Sequence, residues 1–127
     1  MKNVLVVDDE PDIYELLKMA FEKYGEDIHI ESASNGKKAL DKYGEMASNG
    51  REPDIVLMDI RMPGTDGIKT TGRICRDYPG ATVYIFTAFG DTETAKEAMD
   101  AGARGVIKKS DNIREVIGTI KSVLDKI

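Results

Sequence analysis

The sequence of 127 residues contains a single cysteine, Cys75, so no disulfide can form within the chain. One isolated thiol is typical of proteins from a reducing compartment. Long apolar runs are also missing, since the longest are a few residues and a bilayer span needs about 20. The charges of Asp8, Asp9 and Glu10 interrupt the region where a signal peptide would have its apolar core. We therefore expect a cytoplasmic protein with no membrane insertion.

A surplus of basic residues is absent as well. The chain has 18 Lys and Arg against 23 Asp and Glu, which gives a net charge of −5 and a pI near 4.9. Nonspecific binding to nucleic acid needs positive charge that releases counterions from phosphates. We expect no direct nucleic acid binding, although a local basic patch remains compatible with this total. The overall composition, 41% hydrophobic and 32% charged, fits one globular domain over residues 1–127.

Short apolar runs alternate with helical patterns along the whole chain. The runs predict five strands, at 4–7, 28–33, 55–58, 82–87 and 106–107. Helices are predicted between Pro11 and Gly25, at 37–47, at 67–77, from Asp91 or Thr92 to Gly102, and from a cap at 110–112 to Leu124. The first helix has its expected buried stripe at Ile13, Leu16, Leu17, Ala20 and Phe21. Strict alternation predicts a three-layer αβα sandwich with a five-stranded parallel sheet and five helices.

Polar residues follow these strands where each one ends. Asp59 comes directly after the buried run 55–58, and a lone aspartate there is as compatible with a helix cap as with chemistry. Because the carboxyl ends of parallel strands share one edge of the sheet, several other side chains should meet Asp59 there. These are Asp8, Asp9, Thr87, and either Lys108 or Lys109.

Such a group of residues is suited to metal-dependent phosphoryl chemistry. Two carboxylates about 4 Å apart repel by on the order of 4 kcal/mol at an effective dielectric near 20. The cluster therefore needs a cation, a shared proton or a lysine. Ligands that are all oxygen favour Mg²⁺, with Mn²⁺ as a substitute. A threonine hydroxyl and a lysine could bind phosphoryl oxygens while an aspartate acts as the nucleophile. The first loop has no glycines to hold a nucleotide.

Five motifs in this order resemble the receiver domain of two-component response regulators over essentially the whole chain. They are Val4–Glu10, Asp54–Asp59, Met62–Gly67, Thr87-Ala88 and Ala101–Lys109. The resemblance implies a flavodoxin-like fold with strand order 2-1-3-4-5, phosphorylation at Asp59, and no enzymatic activity beyond the chain's own phosphorylation and dephosphorylation.

The resemblance also implies a role for each site residue. Asp9, Asp59 and the backbone carbonyl of Arg61 would bind Mg²⁺ directly, and Asp8 mainly through water. Thr87 and the small Ala88 would bind the phosphoryl group and move with it. For the lysine, the family's spacing from Gly105 selects Lys109, and strand alternation agrees that only one of the two lysines can face the site.

Two positions depart from the family pattern. Ser110 replaces the proline that usually follows the lysine, where the peptide bond is often cis; a cis bond without proline costs about 2.5–4 kcal/mol. Val106 replaces the usual Tyr or Phe whose ring swings when the threonine moves. The expected modulating residues are therefore Val106, Arg61 and Phe89, the last of which could control the access of water to the phosphoryl group.

The resemblance implies two protein partners. A sensor histidine kinase or a phosphotransfer protein would donate the phosphoryl group, and a downstream protein would bind the face formed by the fourth helix, fifth strand and fifth helix. One alternative is a pseudo-receiver that binds partners without phosphorylation. Another is a haloacid-dehalogenase-like phosphatase, which is disfavoured because Arg61 stands where that class needs a second aspartate. With no effector domain in the sequence, a stand-alone protein and a fragment of a longer regulator both stay open.

Overall fold

In the computed structural model, which describes residues 1–24, 27–62, 64–88 and 92–127, strands and helices alternate as the sequence predicts. The strands are β1 (Lys2–Val7), β2 (Ile28–Ala33), β3 (Ile55–Met58), β4 (Arg61–Met62), β5 (Thr65–Asp66), β6 (Val83–Thr87) and β7 (Gly105–Lys108). The helices are α1 (Pro11–Lys23), α2 (Gly36–Ser48), α3 (Gly67–Asp77), α4 (Thr92–Ala101) and α5 (Ile113–Asp125). None of the helices in these ranges is long and apolar enough to span a membrane.

Five strands form one parallel sheet in the order β2-β1-β3-β6-β7. Counting only the strands of this sheet, the order is 2-1-3-4-5, so the predicted fold class and topology are confirmed. The strands β4 and β5 lie outside this sheet and pair with each other as a two-stranded antiparallel hairpin, where the sequence indicated only a loop.

The sheet separates two apolar layers, because successive side chains of a buried strand point to opposite faces. One layer packs the sheet against α1 and α5 and contains Val6, Leu57, Phe21 and Ile120. The other packs it against α2, α3 and α4 and contains Val7, Met58, Tyr43, Ile74 and Ala98. The four residues of β3 are fully buried, as a central strand covered by helices on both faces requires.

Two details differ from the sequence-based expectation. Leu16 is predicted on the buried stripe of α1 but is 47% exposed, whereas Leu17, Ala20 and Phe21 are buried and Ile13 packs half-buried against the same core. The helix after Asp59 is not capped by it: Asp66 is the N-cap of α3, and its carboxylate accepts hydrogen bonds from the backbone N–H groups of Ile68 and Lys69. Gly25 and Asp91, predicted as helix boundaries, lie outside the described residues.

Gly67 holds the start of α3 against the end of β3. A Cβ atom at this position would overlap the carbonyl oxygen of Asp59 and lie 2.9 Å from the Cα of Ile60. Both neighbours are backbone atoms of the segment that carries Asp59, so they cannot move aside without shifting that segment.

We expect Gly67→Ala to lower the free energy of unfolding by about 1–3 kcal/mol because it forces this overlap. The matched control is Gly118→Ala in α5, where a Cβ would meet no atom within 4 Å. That change should instead stabilise the protein by about 0.5–1 kcal/mol, since alanine is the better helix former. Urea denaturation of both variants measures the difference, and equal effects would contradict the steric explanation.

Candidate functional site

The acidic site, centred on Asp8, Asp59 and Lys109, lies at the carboxyl edge of the sheet. Backbone hydrogen bonds continue the strand pairing for one residue past the strand ends and hold the backbone of the site in place. The N–H of Asp8 donates to the carbonyl of Ala33 at 3.0 Å, and the N–H of Asp59 donates to the carbonyl of Val7 at 2.9 Å. The N–H of Lys109 donates to the carbonyl of Thr87 at 2.9 Å. The backbone positions of Asp8, Asp59 and Lys109 are thus fixed by the sheet.

Lys109 is the cation of this site. Its ammonium donates a hydrogen bond to Asp8 Oδ2 at 2.6 Å and lies 3.7 Å from Asp59 Oδ2. Asp8 and Asp59 are each only 6% exposed, so the contacts are shielded from water. Lys108 is exposed, in agreement with the alternation argument that the two lysines point to opposite faces.

The carboxylates of Asp8, Asp9 and Glu10 form a second part of the site. One oxygen from each lies within 4.8 Å of the others, and the backbone N–H of Glu10 donates to Asp8 Oδ1 at 2.9 Å. Asp8 is buried whereas Asp9 and Glu10 are exposed. Glu10 was not among the predicted ligands, although its place directly after the acidic pair was the available signal. A donor set of oxygens only, open to solvent on one side, fits a hard divalent cation such as Mg²⁺.

The ionised form of the Asp59 carboxyl is disfavoured in this position. Burial raises the pKa of Asp59 above its ordinary value; the Lys109 ammonium and the Arg61 N–H, at 3.2 Å from Asp59 Oδ1, act to lower it, and Asp8 and Asp9 raise it further. Its charged form is therefore disfavoured as long as no cation besides Lys109 is near.

The remaining predicted residues belong to β4, β6 and β7 or to the positions that follow β6 in the sequence. Thr87 is buried at the end of β6, next to β3 in the sheet, and Ala88 after it is exposed. The backbone of Arg61 contacts Asp59 through the hydrogen bond above. Val106 is 40% exposed on β7, away from the buried core. Phe89 lies outside the described residues. Every peptide bond in the described chain is trans, Lys109–Ser110 included.

The fold and this edge of the sheet together define the class of protein. A model of the response regulator receiver domain matches residues 4–121. The chain is 38% identical over 124 residues to chemotaxis protein CheY of Halobacterium salinarum, covering 97% of both chains. It is 35% identical over 116 residues to the regulatory protein AtoC of Escherichia coli, covering 91% of this chain but only 24% of AtoC. The chain therefore belongs to the response regulator receiver domains of two-component systems.

A solved structure agrees with this assignment. The complex of CheX, CheY, BeF₃ and Mg²⁺ from Borrelia burgdorferi contains a chain of 31% sequence identity that superimposes with a TM-score of 0.81. The match covers 96% of this chain and 88% of that one. Receiver domains are in general signalling modules rather than enzymes, and phosphorylation and Mg²⁺ binding are general features of the family.

Without a bound metal, Asp59→Asn should stabilise the protein at neutral pH. A carboxyl group whose pKa is raised by folding destabilises the folded state once it is ionised there. The stabilisation should fade as the pH falls toward about 3.9, the ordinary pKa of aspartate, below which the carboxyl is protonated in both folded and unfolded chains. Thermal unfolding in EDTA as a function of pH measures it. The exposed Asp41→Asn is the control, and an equal gain there would contradict the explanation.

Lys109→Met should lower the free energy of unfolding by about 3 kcal/mol in the absence of metal, because it leaves buried Asp8 without its cation. Lys108→Met removes the same charge from the neighbouring exposed position and should change stability by no more than about 0.5 kcal/mol. Urea denaturation compares the two variants. Similar losses in both would show that Lys109 does not hold the carboxylates together.

Proposed function

We propose that this chain is a phospho-accepting signalling switch in which Asp59 receives a phosphoryl group from a sensor histidine kinase or phosphotransfer protein. The observation that carries the proposal is the position of Lys109, whose ammonium contacts Asp8 and lies beside Asp59 in a buried acidic cluster. A structural salt bridge would need one carboxylate, whereas this lysine faces two. The second carboxylate is that of Asp59, the residue that we propose as the phosphorylation site.

The metal ligands we propose are Asp8, Asp9, Asp59 and the backbone carbonyl of Arg61. Glu10 is close enough to Asp8 and Asp9 to contribute to the negative potential of the site. Bound Mg²⁺, or Mn²⁺ in its place, supplies positive charge that offsets the repulsion among the carboxylates and the incoming phosphoryl oxygens. The relative whose solved structure holds Mg²⁺ and BeF₃ supports this assignment.

In the transfer step, a carboxylate oxygen of Asp59 forms a bond to phosphorus as the bond from phosphorus to the donor's imidazole nitrogen breaks. The leaving nitrogen keeps the electron pair of that bond, and the donor imidazole departs in its neutral form when its other ring nitrogen carries a proton. Lys109 stabilises the negative charge on the transferring group, because its ammonium is held at the site by the backbone ladder and by Asp8. Because the ammonium is already in place, the transfer step requires no free energy to reorganise it.

Phosphorylation then changes the balance of charge around Lys109 and Thr87. The phosphoryl oxygens offer the ammonium a stronger partner than the carboxylate of Asp59 did, and the hydroxyl of Thr87 can donate to one of them. Ala88 has no side chain large enough to block that approach. A movement of Thr87 would shift β6 and the segment after it, biasing an equilibrium between two arrangements. Arg61 and Phe89 are the residues we expect to modulate how fast water removes the group.

The output surface we propose is the face formed by α4, β7 and α5, which a downstream protein would bind. Met99 of α4 is 47% exposed and Val106 of β7 is 40% exposed, so these two elements present apolar side chains to solvent. Val106 has no ring to swing between buried and exposed positions. The signal at this face would therefore depend on backbone movement in β6, the following segment and β7 rather than on a rotamer change.

Acetyl phosphate or beryllofluoride with Mg²⁺ tests the switch directly. Wild type should gain one phosphoryl group by mass spectrometry and change its NMR spectrum at residues of α4 and β7, whereas Asp59→Asn should do neither. Lys109→Ala should bind Mg²⁺ yet reduce the phosphorylation rate by 10²-fold or more, on the order expected when one preorganised charge is lost. Lys108→Ala should react like wild type.

The pseudo-receiver alternative predicts neither Mg²⁺ binding at this site nor phosphorylation, whereas the proposed switch predicts both. Mg²⁺ titration by calorimetry should show binding to wild type that Asp9→Asn weakens. If wild type binds Mg²⁺ no better than Asp9→Asn and gains no phosphoryl group, the chain acts without phosphorylation and the proposal is wrong.

A further inference from the structure

A groove lies between α2, the β4–β5 hairpin and α3. Its volume is about 660 Å³. The half-buried Leu40 and the buried Thr70 line it, and three exposed cationic side chains, Lys37, Lys69 and Arg73, stand around it. We call it the basic groove.

Most lysines and arginines of the described chain form no ion pair, and three outside the basic groove do. Lys42, Arg76 and Lys109 each form an ion pair with a neighbouring carboxylate. Within the described residues, Lys37, Lys69 and Arg73 form none. Lys69 and Arg73 are four residues apart on α3, so they lie on one side of that helix, with Lys37 at the start of α2.

Two aspartates also line the groove but do not neutralise it. Asp66 caps α3, and its carboxylate already accepts hydrogen bonds from the backbone N–H groups of Ile68 and Lys69. Asp41 is exposed on α2 and pairs with no cation in the described chain. Three cations against two aspartates leave the groove positive by one charge, on a molecule whose net charge is −5.

We propose that the basic groove binds an acidic segment of a partner protein, with glutamate or aspartate side chains on Lys37, Lys69 and Arg73 and an apolar side chain against Leu40. Nucleic acid fits less well. Affinity for a phosphate backbone comes from lysines and arginines that neutralise phosphates, and the groove offers three cations with two aspartates among them. Spaced carboxylates can instead contact the cations while avoiding Asp41 and Asp66. The argument for this surface does not rest on the proposed phosphorylation.

The test uses a fluorescent synthetic peptide of alternating glutamates and leucines, titrated with the full chain at low salt and followed by anisotropy. Binding should weaken as salt rises, because the contacts are exposed. A peptide with glutamine in place of every glutamate should bind at least about tenfold more weakly. Equal binding of the two peptides would overturn the proposal, as would tighter binding of a single-stranded oligonucleotide of the same length.

Charge reversal within the groove gives the second arm. The double variant Lys69→Glu, Arg73→Glu should weaken binding of the glutamate peptide by about tenfold or more. The control is Arg76→Glu, Lys96→Glu, which changes the net charge equally at exposed helical positions that do not line the groove. An equal loss in both doubles would mean that net charge alone attracts the peptide, and the groove would not be a site. Both variants should keep the far-ultraviolet circular dichroism of wild type.

Discussion

The burial of Asp8 and Asp59 beside each other is the constraint on which this molecule depends. Two carboxylates that are each 6% exposed repel one another and lose their hydration, and the Lys109 ammonium offsets only part of that cost. A flexible loop would relieve the repulsion by letting the carboxylates move apart. Here the backbone N–H of each residue donates a hydrogen bond to a carbonyl of the neighbouring strand, so the sheet keeps them together.

This constraint also explains why the helix after Asp59 has its own cap. An aspartate that caps a helix uses its oxygens on backbone N–H groups and has little left for a ligand. In α3 that task falls to Asp66, and the β4–β5 hairpin separates it from Asp59. Gly67 lets α3 start directly against the Asp59 carbonyl. The carboxylate of Asp59 is thus left out of the capping of α3.

Local patterns in the sequence predict the layers and the edge of the sheet where Asp8, Asp9, Asp59 and Thr87 end their strands. The strand order and the choice of Lys109 come from the family resemblance, and a period of two adds only that Lys108 and Lys109 point to opposite faces. The exposure of Leu16 depends on how much of α1 the sheet can cover, and the β4–β5 hairpin depends on pairing across a turn. The basic groove is formed by residues of α2 and α3 that lie about thirty positions apart in the sequence. The net charge of the chain therefore gives no indication of it.

The β4–β5 hairpin connects the basic groove to the acidic site. Gly64 and Asp66 line the basic groove, and Arg61, at the start of the same hairpin, donates its N–H to Asp59. An added charge on Asp59 and an occupant of the groove therefore act on one short segment from opposite ends. If both favour the same position of that segment, each strengthens the other by the same factor, because coupling between binding sites is reciprocal. The α4–β7–α5 face shares no element with the groove, so two partners could bind this domain at once without competing for residues.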